Sequence, residues 1–134
     1  MQLLDHVSIT VRDLARAKPF YRAVMGALAA AEVYDEPRAI GFGARNTSGD
    51  DGHSYLSVFE SADAQPDRRR HVGFRAASRA QVRAFFEAGV RAGGTGNGAP
   101  GLRPGYHAAY YAAFLLDLEG NPLEAVCHDA NECA

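Results

Sequence analysis

The chain has 134 residues, 47% of them apolar, and a formal net charge of −2, which are the values of one ordinary globular body. The small net charge argues against a nucleic-acid or anionic-membrane partner, and no apolar run reaches the ~20 residues that a membrane span needs. We therefore expect a cytoplasmic protein.

The first half predicts a strand, a helix and three further strands. Polar and apolar residues alternate over 3–11, which is typical of a strand with one face on a core. Asp13 is the predicted N-cap of a helix, because apolar residues then recur at three- and four-residue spacing. Turn-forming residues separate the three strands of a predicted meander, at 30–34, 39–44 and 55–60.

The second half repeats this order. An alternating strand at 70–76 precedes a helix with Ser78 as its N-cap, and a bulged glycine-rich segment precedes two final strands. His6 precedes Phe20 by the same interval as His71 precedes Phe85, which indicates an internal repeat. We divide the chain into module one, a linker, module two and a flexible tail, at 1–61, 62–68, 69–128 and 129–134.

Three side chains form a candidate metal site. His6 and His71 lie on the polar faces of the first strands, and these faces are expected to line a cavity that the two halves share. Glu124 lies on the face of the last strand opposite Leu123, where a carboxylate needs a metal, a cation or water. Two histidines and one carboxylate suit Fe(II), and also accommodate Zn, Ni, Co or Mn. The alternative is that each histidine is a hydrogen-bonded strand residue and that Glu124 is solvated.

A second group of candidates lies beside the expected mouth of the cavity. His107 is a candidate general acid or base, Tyr110 or Tyr111 a proton donor, and Arg103 an anchor for an anionic substrate. The alternative is that the tyrosines pack in the core and His107 lies in an exposed loop. In the first half, Tyr55 and Ser57 are expected on the cavity face, where we assign them to the substrate.

Two segments resemble the glyoxalase/bleomycin-resistance/extradiol-dioxygenase (vicinal oxygen chelate) superfamily. The segment 4–14, LDHVSITVRDL, with the Phe-Tyr pair that follows it, is similar to the opening of these proteins. The segment 114–124, FLLDLEGNPLE, is similar to their ending. The resemblance implies an α+β fold in which two βαβββ modules form an open, incompletely closed barrel around a shared cavity.

The resemblance also implies a ligand set. Metal-dependent members take ligands from the first and last strands of each module, which here implies His6, His71 and Glu124. The fourth place falls in the strand 55–60, where the alternation puts no usual ligand on the cavity face. Glu60 and His53 are nearby but would need a bulge or a register shift to reach inward.

The implied function is that of a metal-dependent enzyme with one divalent ion, Fe, Mn, Ni, Zn or Co, that acts on a small substrate with vicinal oxygens. Extradiol-dioxygenase-like ring cleavage and glyoxalase-like lyase or isomerase chemistry both fit, and the three-ligand set matches the dioxygenases better. The alternative is a non-catalytic small-molecule-binding protein of the bleomycin-resistance type. The resemblance and the exposed sheet edges favour a homodimer.

Overall fold

Two βαβββ modules make up an α+β fold. The computed structural model describes residues 2–130, so most of the predicted tail lies outside the described residues. Module one comprises β1 (His6–Val11), α1 (Leu14–Ala27), β2 (Glu32–Glu36), β3 (Ala39–Gly43) and β4 (Tyr55–Glu60). Module two comprises β5 (Val72–Arg75), α2 (Arg79–Arg91), β6 (Thr95–Leu102), β7 (Tyr111–Leu116) and β8 (Pro122–Cys127). The predicted order of elements is confirmed in both halves.

Each module forms its own four-stranded mixed sheet. The strand orders are β1-β4-β3-β2 and β5-β8-β7-β6. In both sheets the first strand pairs in parallel with the last, and the other pairs are antiparallel. The glycine-rich β6 shifts register twice against β7, between Gly96 and Gly98 and between Gly98 and Gly101, which is the bulged strand that the composition predicts. Over the described residues the two sheets do not close into a barrel, as expected for an open one.

The two helices start where the sequence predicts them to start. The Asp13 carboxylate accepts a hydrogen bond from the backbone N–H of Arg16 at 3.1 Å, and the Ser78 hydroxyl accepts one from the N–H of Gln81 at 3.0 Å. Both contacts satisfy N–H groups that the first turn of a helix leaves unpaired. In the part of the chain that the structure describes, neither helix is long and apolar enough to cross a membrane.

One apolar core joins the modules. Helices α1 and α2 pack against each other, and buried side chains of both modules form a single cluster. The buried Tyr21 of α1 donates a hydrogen bond to Asp117, in the turn after β7, at 2.6 Å. Because the helices cover the apolar faces of the sheets, polar side chains remain on the opposite faces, where Glu124 and Ser57 lie.

Candidate functional site

Glu124 is a buried carboxylate on the polar face of the second sheet. The residue is only 3% exposed, and its Oε1 lies 3.0 Å from Nε2 of His71. The Tyr110 hydroxyl hydrogen-bonds to the other oxygen, Oε2. Glu124 pairs with Gly73 in the parallel β5–β8 register, and a Cβ at position 73 would lie 3.6 Å from Oε1. This is an ordinary van der Waals distance, so the position of the carboxylate does not depend on a glycine at 73.

No cationic side chain of Lys or Arg pairs with Glu124 among residues 2–130. Burying an ionised carboxylate is costly unless a cation or several hydrogen bonds compensate it. Burial, together with the hydrogen bond and charge of Glu124, raises the pKa of Tyr110 to about 12. The phenol therefore keeps its proton near neutral pH and donates a hydrogen bond to Oε2, while Oε1 faces Nε2 of His71.

Two more imidazoles lie beside Tyr110. Nδ1 of His107 accepts a hydrogen bond from the Ala109 N–H at 3.1 Å, so the proton of a neutral ring is on Nε2, which donates to Nδ1 of His128 at 2.9 Å. Both rings meet the Tyr110 ring edge to face, with centroids 5.4 and 5.3 Å away. Sequence reasoning gave His128 no role, although its even spacing from Glu124 along the last strand placed both on one face.

Two other predicted residues contact different partners. The Tyr111 ring lies under the guanidinium groups of Arg79 and Arg83 on α2, with Cζ atoms 5.1 and 6.0 Å from its centroid. It is therefore on the helix side of the sheet and is not brought to the carboxylate. Arg103 donates to the Ala99 carbonyl at 2.7 Å and so ties down the connection that leaves β6. The proposed roles of Tyr111 and Arg103 stay predictions.

Arg103 nevertheless lies near the same face as the carboxylate. Its Cζ is 5.5 Å from the centroid of Phe114, which pairs with Glu124 in the β7–β8 register. The Phe114 ring in turn meets His71 edge to face, with centroids 6.3 Å apart. A substrate beside His71 would therefore have the Phe114 ring as an apolar neighbour.

The polar face of the first sheet holds the remaining candidates. Nδ1 of His6 lies 2.6 Å from Oδ1 of Asp5, and this hydrogen bond is the main cause that lowers the pKa of the Asp5 carboxyl. The His6 ring stacks on Tyr55, with centroids 5.0 Å apart and an interplanar angle of 14°. Ser57 is buried and accepts a hydrogen bond from the Tyr34 hydroxyl at 2.6 Å.

The three predicted metal ligands do not meet within one chain. His6 and Tyr55 line a cleft of about 860 Å³, whereas His71 and Ser8 line a different cleft of about 490 Å³. Over residues 2–130, no three side chains of the types His, Cys, Asp and Glu lie close enough to hold a metal ion. The structure thus brings His71 to Glu124 and leaves His6 apart, and the metal site stays a prediction.

The residues considered for a fourth ligand place have other partners. Glu60 Oε2 accepts a hydrogen bond from the N–H of Leu14 at 3.1 Å, so this carboxylate serves the first turn of α1. His53 pairs with Asp50, with Nε2 and Oδ2 2.9 Å apart. Neither side chain is paired with His6, His71 or Glu124.

Comparison with protein-family models gives a match over most of the chain. The model described as "Glyoxalase/Bleomycin resistance protein/Dioxygenase superfamily" matches residues 3–125. No curated protein matches the chain. The match spans all of the residues that contact Glu124.

Solved structures share the fold. A glyoxalase/bleomycin resistance protein from Albidiferax ferrireducens T118 is 26% identical with a TM-score of 0.80, over 96% of this chain and 100% of that one. A glyoxalase/bleomycin resistance protein/dioxygenase family enzyme from Burkholderia phytofirmans PsJN is 22% identical with a TM-score of 0.66, over 93% and 98%. The fosfomycin resistance protein FosX from Mesorhizobium loti is 20% identical with a TM-score of 0.63, over 97% and 95%. At this identity the last two show the fold alone.

Proposed function

This chain belongs to the glyoxalase/bleomycin resistance protein/dioxygenase superfamily, and from that premise we propose that it is a metal-dependent enzyme acting on a small substrate with vicinal oxygens. The observation that carries the proposal is the buried Glu124 carboxylate, which has an imidazole and a phenol as partners and, among the residues that the structure describes, no ammonium or guanidinium. Oxygen and imidazole nitrogen 3.0 Å apart suit neighbouring positions on one divalent ion, for which Fe, Mn, Ni, Zn and Co are the candidates.

A divalent ion held by His71 and Glu124 would act as a Lewis acid for two adjacent substrate oxygens and stabilise the negative charge that develops on them. Tyr110 holds Oε2 of Glu124 and so fixes the orientation of the carboxylate. His107 and His128, hydrogen-bonded to each other beside Tyr110, are imidazoles able to take up or return a proton. Extradiol-dioxygenase-like and glyoxalase-like lyase or isomerase reactions both fit this set.

We further propose that a second copy of the chain supplies His6. In a dimer with two-fold symmetry, each copy would place its His6 against the His71–Glu124 pair of the other, which gives two identical sites. Leu3 and Leu4, just before β1, are 81% and 61% exposed, and exposed apolar side chains of this kind are typical of surfaces that a partner covers.

Metal content of protein purified without a metal-affinity tag tests the proposal. We expect the wild type to bind about one divalent ion per chain, and His6→Ala, His71→Ala and Glu124→Gln to lose it. His53→Ala is the matched control, because His53 is an exposed histidine whose Nε2 pairs with Asp50. Wild type that stays metal-free after incubation with each candidate ion would refute the enzyme proposal.

Mixing two defective variants tests whether the site lies between copies. His6→Ala and Glu124→Gln chains, refolded together in equal amounts, form mixed dimers in which one of the two sites has all three ligands. We therefore expect about a quarter of the sites to regain metal, from random pairing of the two chains. If all three ligands came from one chain, mixing would restore nothing.

The second candidate is a non-catalytic binding protein of the bleomycin-resistance type. It is favoured by the first sheet, where aromatic rings and a guanidinium lie on the polar face without a gathered set of metal ligands. Stoichiometric metal that the three substitutions abolish would exclude it.

A further inference from the structure

We infer that module one carries an anion-binding site built around Arg45, which takes the carboxylate or phosphate group of a small organic anion. The guanidinium lies over two aromatic rings, with Cζ 5.0 Å from the centroid of Tyr34 and 5.4 Å from that of Tyr55. Contact with two ring faces holds the planar cation in place and leaves its N–H groups free to donate. Sequence reasoning missed both Arg45 and Tyr34.

Arg45 has no acidic partner in the part of the chain that the structure describes. The comparison with Arg22 is informative, since that guanidinium is bound by Glu32 at 2.7 Å and by Asp35 at 2.9 Å. Asp5 lies beside His6, and its carboxylate is already hydrogen-bonded to the His6 ring and to Asn46. It is therefore not a partner of Arg45. A guanidinium fixed by rings but not neutralised by the protein is suited to bidentate recognition of an external oxyanion.

The tyrosine under Arg45 is held in place at two points. Gly41 on β3 lies directly beneath the Tyr34 ring, so closely that a Cβ there would be 2.1 Å from Cε1. At the far end of the ring, the hydroxyl donates to Oγ of Ser57, which is 4% exposed. The ring therefore lies flat on the sheet, and its free face is the one available to a cation. Gly41 and Ser57 together therefore hold the Tyr34 ring in a fixed position under the Arg45 guanidinium.

The other ring joins this surface to the first histidine. Tyr55 stacks on His6 and also lines the 860 Å³ cleft. The side chains of Arg45, Tyr34, Tyr55 and His6 therefore form one continuous polar and aromatic surface. The inference rests on the proposed function only because Tyr55 and Ser57 are the residues assigned to its substrate. It adds that the ligand is an anion. It needs no metal, and it applies equally to a binding protein.

Calorimetric titration of metal-free protein with benzoate and with inorganic phosphate tests the inference, with benzamide as the uncharged analogue of benzoate. We expect saturable binding of at least one anion, and none of benzamide. Arg45→Gln should weaken that binding by about tenfold or more, and Arg45→Lys should weaken it several-fold because an ammonium lacks the bidentate fork. Arg38→Gln is the matched control, since Arg38 is an exposed arginine of the same sheet that stands near Glu60.

Three results would overturn the inference: no saturable binding of either anion by wild type, equal binding of benzamide, or unchanged affinity in Arg45→Gln. The same titration on Glu124→Gln separates this site from the metal site. Anion binding that survives in Glu124→Gln supports the inference whether or not the wild type holds metal. Anion binding that is lost in Glu124→Gln and kept in Arg45→Gln places the anion at the other sheet and overturns it.

Discussion

Replacing Gly41 by alanine should destabilise the protein through Tyr34. The new methyl group would lie 2.1 Å from Cε1 and 2.6 Å from Cδ1 of the ring, which is well inside contact distance. The ring must then lift from the strand, and its hydroxyl loses Ser57 Oγ, now 2.6 Å away. Because Ser57 is buried, its hydroxyl is left without a protein partner.

The expected cost combines three terms of known size. A buried hydroxyl that loses its partner costs about 1–3 kcal/mol, and forcing a methyl group into a packed surface costs about 1–3 kcal/mol. Against these, replacing glycine by alanine stabilises a strand by about 0.5–1 kcal/mol, because the unfolded chain loses freedom. Gly41→Ala should therefore lower the free energy of unfolding by about 1–5 kcal/mol.

Urea denaturation of a double-mutant cycle tests the cause. In a Tyr34→Ala background no ring opposes the methyl group, so Gly41→Ala should no longer destabilise the protein and should raise its stability by up to about 1 kcal/mol. Gly26→Ala is the control, because nothing lies within 4 Å of a Cβ there and helix propensity alone should stabilise the protein by up to about 1 kcal/mol. Equal costs of Gly41→Ala in both backgrounds would refute the reasoning.

Two further predictions concern the core that joins the modules. Gly89→Ala should lower the free energy of unfolding by about 1–2 kcal/mol in urea, because its Cβ would lie 2.3 Å from Leu115 Cδ1 and 3.1 Å from Val24 Cγ1; a stabilised variant would contradict this. Burial, together with Asp117, raises the pKa of Tyr21 well above its ordinary value, so the stabilisation due to its proton is complete below about pH 10 and falls as the pH rises towards the folded-state pKa. Above about pH 10 the wild type should therefore lose stability more steeply than Tyr21→Phe, by up to about 1.4 kcal/mol per pH unit, and parallel slopes would contradict it.

The regular elements could be predicted because each one has a local signal. Alternation predicts β1, three- and four-residue spacing predicts α1, and Asp13 and Ser78 mark where the helices begin. The Arg45 surface has no such signal, since it depends on which residue of β3 lies opposite Tyr34. That register contains an irregularity between Glu32 and Tyr34, and the position of a bulge is set by the paired strands together.

The candidate site likewise has a part that the sequence predicts and a part that it does not. The repeat predicts that His6 and His71 lie at equivalent points of two polar faces, but equivalence within modules does not fix the distance between them. That distance depends on how the two sheets are set relative to each other, which the packing of α1 against α2 determines and which no single strand pattern encodes. Among the three predicted ligands, His71 and Glu124 are neighbours because His71 directly precedes β5, which pairs with the β8 strand that carries Glu124.

The exposure of the three side chains indicates which substitution can remove a proposed metal ligand without lowering the stability of the fold. The side chains of His6 and His71 are about half exposed, at 52% and 51%, whereas that of Glu124 is 4% exposed. Removing either imidazole should therefore cost the isolated chain little stability, while Glu124 has a folding role through Tyr110 in addition to the ligand role that we propose for it. His6→Ala is then the sharper probe: loss of metal in a variant as stable as the wild type would report on the ligand set, and retention of metal would exclude His6 from it.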